Sequence, residues 1–504
     1  MMDEKKMLKL QNGSDIRGVA MEGVEGEAVT LGHDAANVIG AAFVNFLAEK
    51  IGKPASKLKI AIGHDSRLSA ISLKEAAIEG AMNLGARMFD CGLCSTPAMY
   101  MSTVFEDTQM DGAIMITASH LPYNRNGLKF FTAEGGLEKE DIKTILLAAA
   151  RLEPVRYDIS DVEKLDLIDL YAAYLRDKIR VGANLEENYM QPLAGMKIVV
   201  DAGNGAGGFF ARKVLKPLGA DTTGSKYLDP DGRFPNHIPN PENKEAMASI
   251  KKIVKDSHAD FGLIFDTDVD RMGAVLSDGK EINRNALIAM IAAILAPDNP
   301  GSTIVTDSVT SDELTEFLEG SLHLKHHRFK RGYKNVINEC IRLNEEGIDC
   351  PLAIETSGHG ALRENYYLDD GAYLAVKLII AAAKARRKDM HLTNLIEELG
   401  YPADAREYRL NISGLEDYRA YGYKVLEEFK ELARARGIQV ASPSYEGVRL
   451  VFPDEGWILL RLSLHDPNMP MNIEGKHDGD CEKLVKIARE LVSGFVHLDY
   501  SVIH

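Results

Sequence analysis

Short β-branched apolar runs recur along the chain, and each stops at an aspartate or a polar loop. Lys59-Ile60-Ala61-Ile62-Gly63-His64-Asp65, Lys197-Ile198-Val199-Val200-Asp201 and Thr303-Ile304-Val305-Thr306-Asp307 open three loosely repeated units, each followed by helix-like sequence. Gly85-Ala86-Arg87 and Gly219-Ala220-Asp221 echo one another as turns into a second strand. Each unit then carries a further apolar run. Gly112–Ile116 precedes Thr117-Ala118-Ser119-His120, Phe261–Phe265 precedes Asp266, and Pro351–Ile354 precedes Glu355-Thr356-Ser357-Gly358-His359. Runs of this kind predict strands buried on both faces, and their alternation with helices predicts α/β units with largely parallel sheets.

The spacing predicts a linking helix over 166–181 and a break at Ala296-Pro297-Asp298-Asn299-Pro300-Gly301. After about Ala403 the pattern changes. A strand-like 406–412, a charged helix over 416–436, and the runs 448–452 and 457–463 predict a smaller α+β module with hairpin character. The fold class expected is α/β: three similar mixed α/β domains at 1–160, 161–298 and 299–403, plus a C-terminal α+β domain at 404–504. Three strand ends bearing three different polar loops suit a composite site built where domains meet.

A chain of 504 residues is long enough for three or four such domains. Its net charge of −16 argues against a nucleic-acid partner or an anionic membrane surface. An anionic substrate then requires a local cluster of Arg and Lys. The apolar stretches are too short or too interrupted to span a bilayer, and the first residues lack the apolar core of a secretory signal. Five cysteines in so long a chain form no disulfide framework, and Cys91-Gly92-Leu93-Cys94 reads as a pair of buried thiols. A cytoplasmic location is expected.

The chemistry concentrates at Asp266-Thr267-Asp268-Val269-Asp270-Arg271, at the carboxyl end of a wholly apolar run. In a straight strand the outer two aspartates would sit about 13 Å apart at ~3.3 Å per residue. Oxygen ligands must lie within about 2.0–2.6 Å of Mg²⁺ or Ca²⁺, so the backbone must curl to bring the three round one ion. An EF-hand fails, because Arg271 and Ser277 occupy the places of its Gly and Glu. A haloacid-dehalogenase-type phosphatase, with Asp266 as nucleophile, is the chemical rival and leaves Ser119 without a role. The glycines at 203, 205 and 208 match a dinucleotide fingerprint, with Asp229 as its acid. However, Thr222–Lys226 is too polar for that fold's second strand, and a helix-packing turn accounts for them better.

Thr117-Ala118-Ser119-His120, Asp266–Arg271, Glu355–His359 and Arg461-Leu462-Ser463 follow one another in the order and spacing of a known family. With Gly13–Gly18, Gly63–Arg67 and Asp201–Gly207, they make the chain resemble the α-D-phosphohexomutases of the phosphomannomutase/phosphoglucomutase type over almost its whole length. The resemblance implies domains set around a central cleft. Ser119 would be a phosphoserine that exchanges its phosphoryl group with the sugar. One Mg²⁺ per active site would be held by Asp266, Asp268, Asp270 and a Ser119 phosphate oxygen. Arg17, His120 and Lys129 match active-site positions, with Lys129 and His120 both open as general acid or base. Glu355 and Ser357 match the pair that grips sugar hydroxyls, and Gly332 and Tyr333 lie in the loop of sugar selectivity. Arg461 and Ser463 match the loop for the phosphate that is not being transferred, and Arg271, His359 and His465 complete the substrate contacts. Arg67 reads as a brace of the first domain rather than a substrate ligand.

The implied reaction interconverts hexose 1- and 6-phosphates of mannose and/or glucose through a hexose 1,6-bisphosphate, which serves as intermediate and activator. The enzyme would be a monomer or dimer with a phosphosugar as its partner molecule. Charge logic agrees: a phosphoserine beside three carboxylates exceeds what one Mg²⁺ balances, so Arg17, Lys129 and Arg271 must lie near. Phosphoglucosamine mutase is the nearest alternative, and a catalytically idle sugar-phosphate binder a more remote one. Several features depart from the family pattern, among them Tyr333, which stands where relatives carry a His or another aromatic. Leu121 stands where Asn is common, the tail loop reads Leu462-Ser463-Leu464-His465-Asp466-Pro467, and no basic residue follows Thr306-Asp307.

Overall fold

The apolar runs form strands, and their register shows how each aspartate is delivered. The computed structural model describes residues 3–184, 188–463 and 466–503. The contacts divide the chain into two units, one of residues up to Ile294 with Ser357–Leu395, the other of Leu295–Thr356 with the residues from Ile396 onward.

The first unit holds an eight-stranded mixed sheet and a four-stranded one. In the larger sheet Lys59–His64 runs parallel to both Arg87–Leu93 and Gly112–Ile116, and antiparallel strands continue it through Arg125–Thr132 to Asp15–Val19. Helices His33–Ile51, Ala70–Asn83 and Lys139–Ala150 cover it, contributing Ala36, Phe43, Leu47, Leu73, Ala77 and Ile145 to one buried core. Burial of such side chains contributes about 1.5–3 kcal/mol for each large one and fixes which face each strand presents.

In the smaller sheet Phe261–Phe265 runs parallel to Ile198–Asp201 and antiparallel to Met272–Leu276, all three fully buried. Each sheet thus keeps a parallel pair and extends through antiparallel neighbours. The polar stretch 222–226 forms no strand: Lys197↔Asp221 and Asp201↔Lys226 are isolated bridges. The predicted linking helix is Leu167–Ala183, with Asp166 capping Asp169 N–H at 3.2 Å.

In the second unit Thr303–Thr306 lies between Lys325–Arg328 and Leu352–Ile354, all parallel. The C-terminal module is a six-stranded antiparallel sheet containing the hairpin Val448–Phe452/Gly456–Leu460. Helices Tyr418–Ala435 and Asp480–Val492 pack on it through Phe429, Leu484 and Val485. The fold class is that expected from the pattern: three α/β domains and a smaller domain with an antiparallel sheet.

The segment after His120 folds differently from what its residue types suggest. Proline, asparagine and glycine between Pro122 and Gly127 read as a turn-rich loop reaching Lys129, but a strand begins at Arg125 and carries Lys129 in its middle. Gly127 is a packing requirement there rather than a turn signal. A Cβ at this position would sit 2.1 Å from the Ile16 carbonyl oxygen of the neighbouring strand.

Candidate active site

Two strand ends of the first unit meet at Ser119 and Asp266. The run Gly112–Ile116 ends at Thr117, whose hydroxyl accepts the Ser119 N–H at 2.9 Å and donates to Asp65 at 2.7 Å. Arg67, 2 % exposed, threads its guanidinium among the carbonyls of Ser119, Leu121, Pro122 and Arg125 and lies 3.4 Å from Asp65. That is the bracing role expected of it. Leu121 enters this network through its backbone carbonyl, a part that any residue can play. Ser119 itself is held in left-handed backbone with φ 49°, a conformation costly for a non-glycine residue and found mostly where function demands it.

The acidic loop closes on itself. Arg271 N–H donates to Asp266 Oδ1 at 3.2 Å, and Asp266 N–H to the Arg271 carbonyl at 3.4 Å. Val269, with φ 68°, supplies the curl that geometry demanded. The result is that one carboxylate oxygen from each of Asp266, Asp268 and Asp270 lies within 4.8 Å of the others, all three side chains fully buried. Asp268 Oδ1 and Asp270 Oδ1 have no hydrogen-bond partner. Buried carboxylate oxygens left unpaired are costly unless a cation meets them, and an all-oxygen donor set suits a hard divalent ion. The residues therefore fit a metal site.

The neighbouring charges are arranged around that triplet. The Ser119 hydroxyl donates to Asp266 Oδ2 at 3.0 Å and lies 3.3 Å from both His120 Nδ1 and Arg271 Nη2. Lys129 pairs with Asp270 and sits 3.4 Å from Asp268 Oδ2. Thr96 adds its N–H to the Asp268 carbonyl at 2.9 Å and its hydroxyl to Asp268 Oδ2 at 2.5 Å. Arg17 bonds the Thr117 carbonyl and reaches Asp15 at 2.9 Å. His359 Nδ1–H donates to Asp369 Oδ2 at 2.6 Å and lies 3.9 Å from Asp270.

These contacts push the carboxyls apart in acidity. Burial, then the charges of Asp270 and Asp268, hold Asp266 well above the ordinary carboxylate range. Burial opposes ionisation of Asp270 too, yet Lys129, His359 and Arg271 outweigh it and hold that group well below. Arg271, burial, His359 and Arg17 together drive His120 down to about 2, so its imidazole is neutral.

The second unit carries Gly332, Tyr333, Glu355, Arg461 and Ser463. Glu355 Oε1 accepts Gly332 N–H at 2.6 Å, and Gly332, with φ 111°, caps the helix that opens at Tyr333. Asp307, at the end of its strand, accepts the Thr356 hydroxyl at 2.7 Å and lies 3.9 Å from Arg331 Nε. Arg461 is 5 % exposed, and Ser463 Oγ accepts Asp466 N–H at 3.2 Å. His465 lies outside the described residues. Ser357 and His359 belong to the first unit, where Gly358 backs onto Met272 and His359 bridges Arg271.

Sequence reasoning missed Thr96, Asp307, Asp369 and Glu446. Glu446 takes the Ser308 hydroxyl and the Arg331 N–H (3.1 Å) on one oxygen, with Arg461 4.0 Å from the other. Of the four, only Asp307 had a signal, as the third aspartate to follow a recurring apolar run.

Comparison with known proteins places this arrangement. Residues 9–154, 170–279 and 283–400 match, in order, "Phosphoglucomutase/phosphomannomutase, alpha/beta/alpha domain I", domain II and domain III. A phosphomannomutase/phosphoglucomutase of Pseudomonas aeruginosa is 29 % identical over 434 residues, covering 85 % of this chain and 86 % of the relative. A phosphoglucomutase/phosphomannomutase of Thermococcus kodakarensis is 29 % identical over 491 residues, covering 96 % and 99 %. A crystal structure of a phosphoglucomutase/phosphomannomutase family protein from Burkholderia thailandensis superposes with a TM-score of 0.77 at 25 % identity, covering 98 % of each chain. The chain belongs to the phosphoglucomutase/phosphomannomutase family of α-D-phosphohexomutases. As such it is an enzyme, a phosphotransferase mutase of hexose phosphates, and the phosphatase and idle-binder alternatives fall away. No helix among the described residues is long and apolar enough to cross a membrane.

Proposed function

We propose that the enzyme interconverts the 1- and 6-phosphates of mannose and/or glucose, through a phosphoserine at Ser119 and a hexose 1,6-bisphosphate. The observation that carries this reading is the Ser119 hydroxyl 3.0 Å from Asp266, beside three buried carboxylates and Arg271. Asp266, Asp268 and Asp270, with an oxygen on Ser119, would hold one Mg²⁺, whose charge neutralises the transferring phosphoryl group.

The protein's own residues supply the rest. Arg271 and Arg17 offset the remaining charge on the phosphoryl oxygens. Lys129 and His120 flank the transfer, and one of them takes the hydroxyl proton as the sugar oxygen attacks. His120 is held neutral by Arg271, and the same charge makes it the weaker base of the two. Glu355 and Ser357 grip sugar hydroxyls, with Gly332, Tyr333 and His359 shaping the sugar site. Arg461, Ser463 and His465 bind the distal phosphate, which they must do in both orientations of the bisphosphate. A guanidinium suits that task because it meets phosphate through two parallel N–H donors. By this reading residues 1–160 bear the phosphoserine, 161–298 the metal, 299–403 the sugar contacts and 404–504 the distal phosphate site, and the enzyme works in the cytoplasm.

The test is a comparison of wild type with Ser119→Ala on mannose 1-phosphate, glucose 1-phosphate and glucosamine 1-phosphate, primed with a trace of the matching bisphosphate. Isomerisation of the first two by wild type, a single phosphate located on Ser119 and near-total loss in Ser119→Ala are expected. A clear preference for glucosamine 1-phosphate overturns the sugar assignment in favour of an amino-sugar mutase.

A further inference from the structure

Behind the sugar loop lies a pair of thiols that none of the chemistry above employs. Cys340 is on the buried face of the helix Tyr333–Glu345, and Cys350 stands two residues ahead of the strand Leu352–Ile354. Both are fully buried, and their sulfurs are 3.0 Å apart. Backbone bonds independent of the sulfurs hold the two in register. The Asn344 amide donates to the carbonyls of Cys340 (2.8 Å) and Cys350 (2.7 Å), and Asn344 Oδ1 accepts Cys350 N–H at 3.3 Å. A disulfide requires the sulfurs to close to about 2.05 Å. From 3.0 Å that distance lies within side-chain rotation, with the backbone already clamped.

We propose that Cys340 and Cys350 form a redox modification site, a dithiol that hydrogen peroxide converts to an intramolecular disulfide. One thiolate attacks a peroxide oxygen, giving a sulfenic acid and, after proton uptake, water. The second thiol then attacks that sulfur, forming the S–S bond and expelling a second water, so two thiols and one peroxide yield one disulfide and two waters. Peroxide would gain access by local opening at the helix end, where Glu345 and the following residues 346–349 are all exposed.

The bond would tie the helix that begins at Tyr333 to the segment entering the strand before Glu355. Gly332 and Glu355 are already joined by their 2.6 Å hydrogen bond, so the cross-link would fix the two sugar-loop elements against each other. The effect on sugar binding rests on the roles proposed above for Gly332, Tyr333 and Glu355; the cross-link itself does not.

The full-length enzyme is treated with hydrogen peroxide, quenched, blocked with a thiol alkylator and digested with trypsin without reduction. The expected product joins peptides 335–342 and 343–363, weighs two hydrogens less than their sum, and disappears with dithiothreitol or in Cys340→Ala. The KM for glucose 1-phosphate is expected to shift by about twofold or more on oxidation and to return on reduction, with Cys340→Ala insensitive. Absence of the linked peptide in folded protein, or oxidation confined to Cys91, Cys94 or Cys481, overturns the site whatever the enzyme's substrate. A linked peptide with unmoved KM overturns its coupling to the sugar loop.

Discussion

The Ser119 hydroxyl donates a 3.0 Å hydrogen bond to Asp266, a partner 147 residues away in the chain. Both sit where an apolar strand gives way to strained backbone, φ 49° at Ser119 and 68° at Val269. A phosphoryl group on that hydroxyl would bring up to two negative charges beside three buried carboxylates. Metal binding should therefore stabilise the phosphorylated enzyme more than the unphosphorylated one. Thermal unfolding with EDTA and with excess Mg²⁺ checks this. At about 100 Kd of metal, binding contributes roughly 2.7 kcal/mol, and the Tm gain should be larger for phosphoenzyme than for Ser119→Ala. Equal gains would mean that the serine oxygen plays no part in the metal site.

Lys129 pairs with Asp270 and lies 3.4 Å from Asp268. Its ammonium shares these carboxylates with any bound metal, so removing it should not weaken the metal site. Lys129→Met is expected to lower kcat by roughly 10²–10⁴-fold, the range for loss of a proton-transfer group, while Mg²⁺ affinity stays level or rises. Titration calorimetry alongside steady-state kinetics separates the two. Parallel loss of metal binding would make Lys129 a support of the site rather than a participant in transfer.

The acidic triplet was legible because a fully apolar run made its carboxyl end predictable, and strand geometry alone required the curl that Val269 provides. The apolar runs at 198–201, 261–265 and 303–306 were legible for the same reason: burial on both faces erases polar positions. What stayed hidden depends on long-range packing. Thr96 reaches Asp268 across 172 residues, and nothing near Thr96 in the chain announces it. The strand Arg125–Thr132 was masked because its first residues are turn formers, one of them a glycine kept for contact with Ile16. Glu446 looked like any acidic turn residue, since its partners Ser308 and Arg331 come from elsewhere in the chain.

The glycines at 203, 205 and 208 are explained by packing rather than by nucleotide binding. A Cβ on Gly205 would lie 2.6 Å from the Thr267 carbonyl oxygen and 2.8 Å from its Cα, inside the acidic loop. Ala206 N–H bonds that same carbonyl at 2.8 Å. Gly205→Ala should therefore cost about 1–3 kcal/mol through overpacking. Displacing the loop should also lower kcat by as much as about 10²-fold, the order of effect of a 1 Å misplacement. Differential scanning calorimetry and kinetics check both. A stable variant with intact activity would mean that the loop yields freely.

Glu446 gathers Ser308 and the Arg331 backbone on one oxygen and stands 4.0 Å from Arg461. Glu446→Ala leaves a hydroxyl and an N–H without their acceptor, a cost of about 1–3 kcal/mol, and removes a counter-charge from Arg461. The expected result is a rise in KM of about tenfold with a smaller change in kcat, and Glu446→Gln, which keeps an acceptor oxygen, should recover most of it. Identical KM values for wild type and Glu446→Ala would remove Glu446 from the substrate site.

Glu474 offers a pH signature distinct from the active site. Burial, then the nearby charge of Glu313, raises its carboxyl to about 7, even though Arg449 and the Trp457 N–H at 3.0 Å pull the other way and Asp312 adds to the rise. Its ordinary value is 4.5, so between these limits the folded protein holds a proton that the unfolded chain releases. The sign follows from linkage: the contribution is fully present below pH 4.5 and is lost as pH rises to about 7, beyond which it is flat. Its size is on the order of 3 kcal/mol, at about 1.36 kcal/mol per unit. Glu474→Gln carries no titrating group, so its stability relative to wild type should improve progressively from pH 4.5 to 7 and then hold steady. Urea midpoints of the two proteins measured across that window test it. A constant difference between them would show that Glu474 is ionised in the native enzyme.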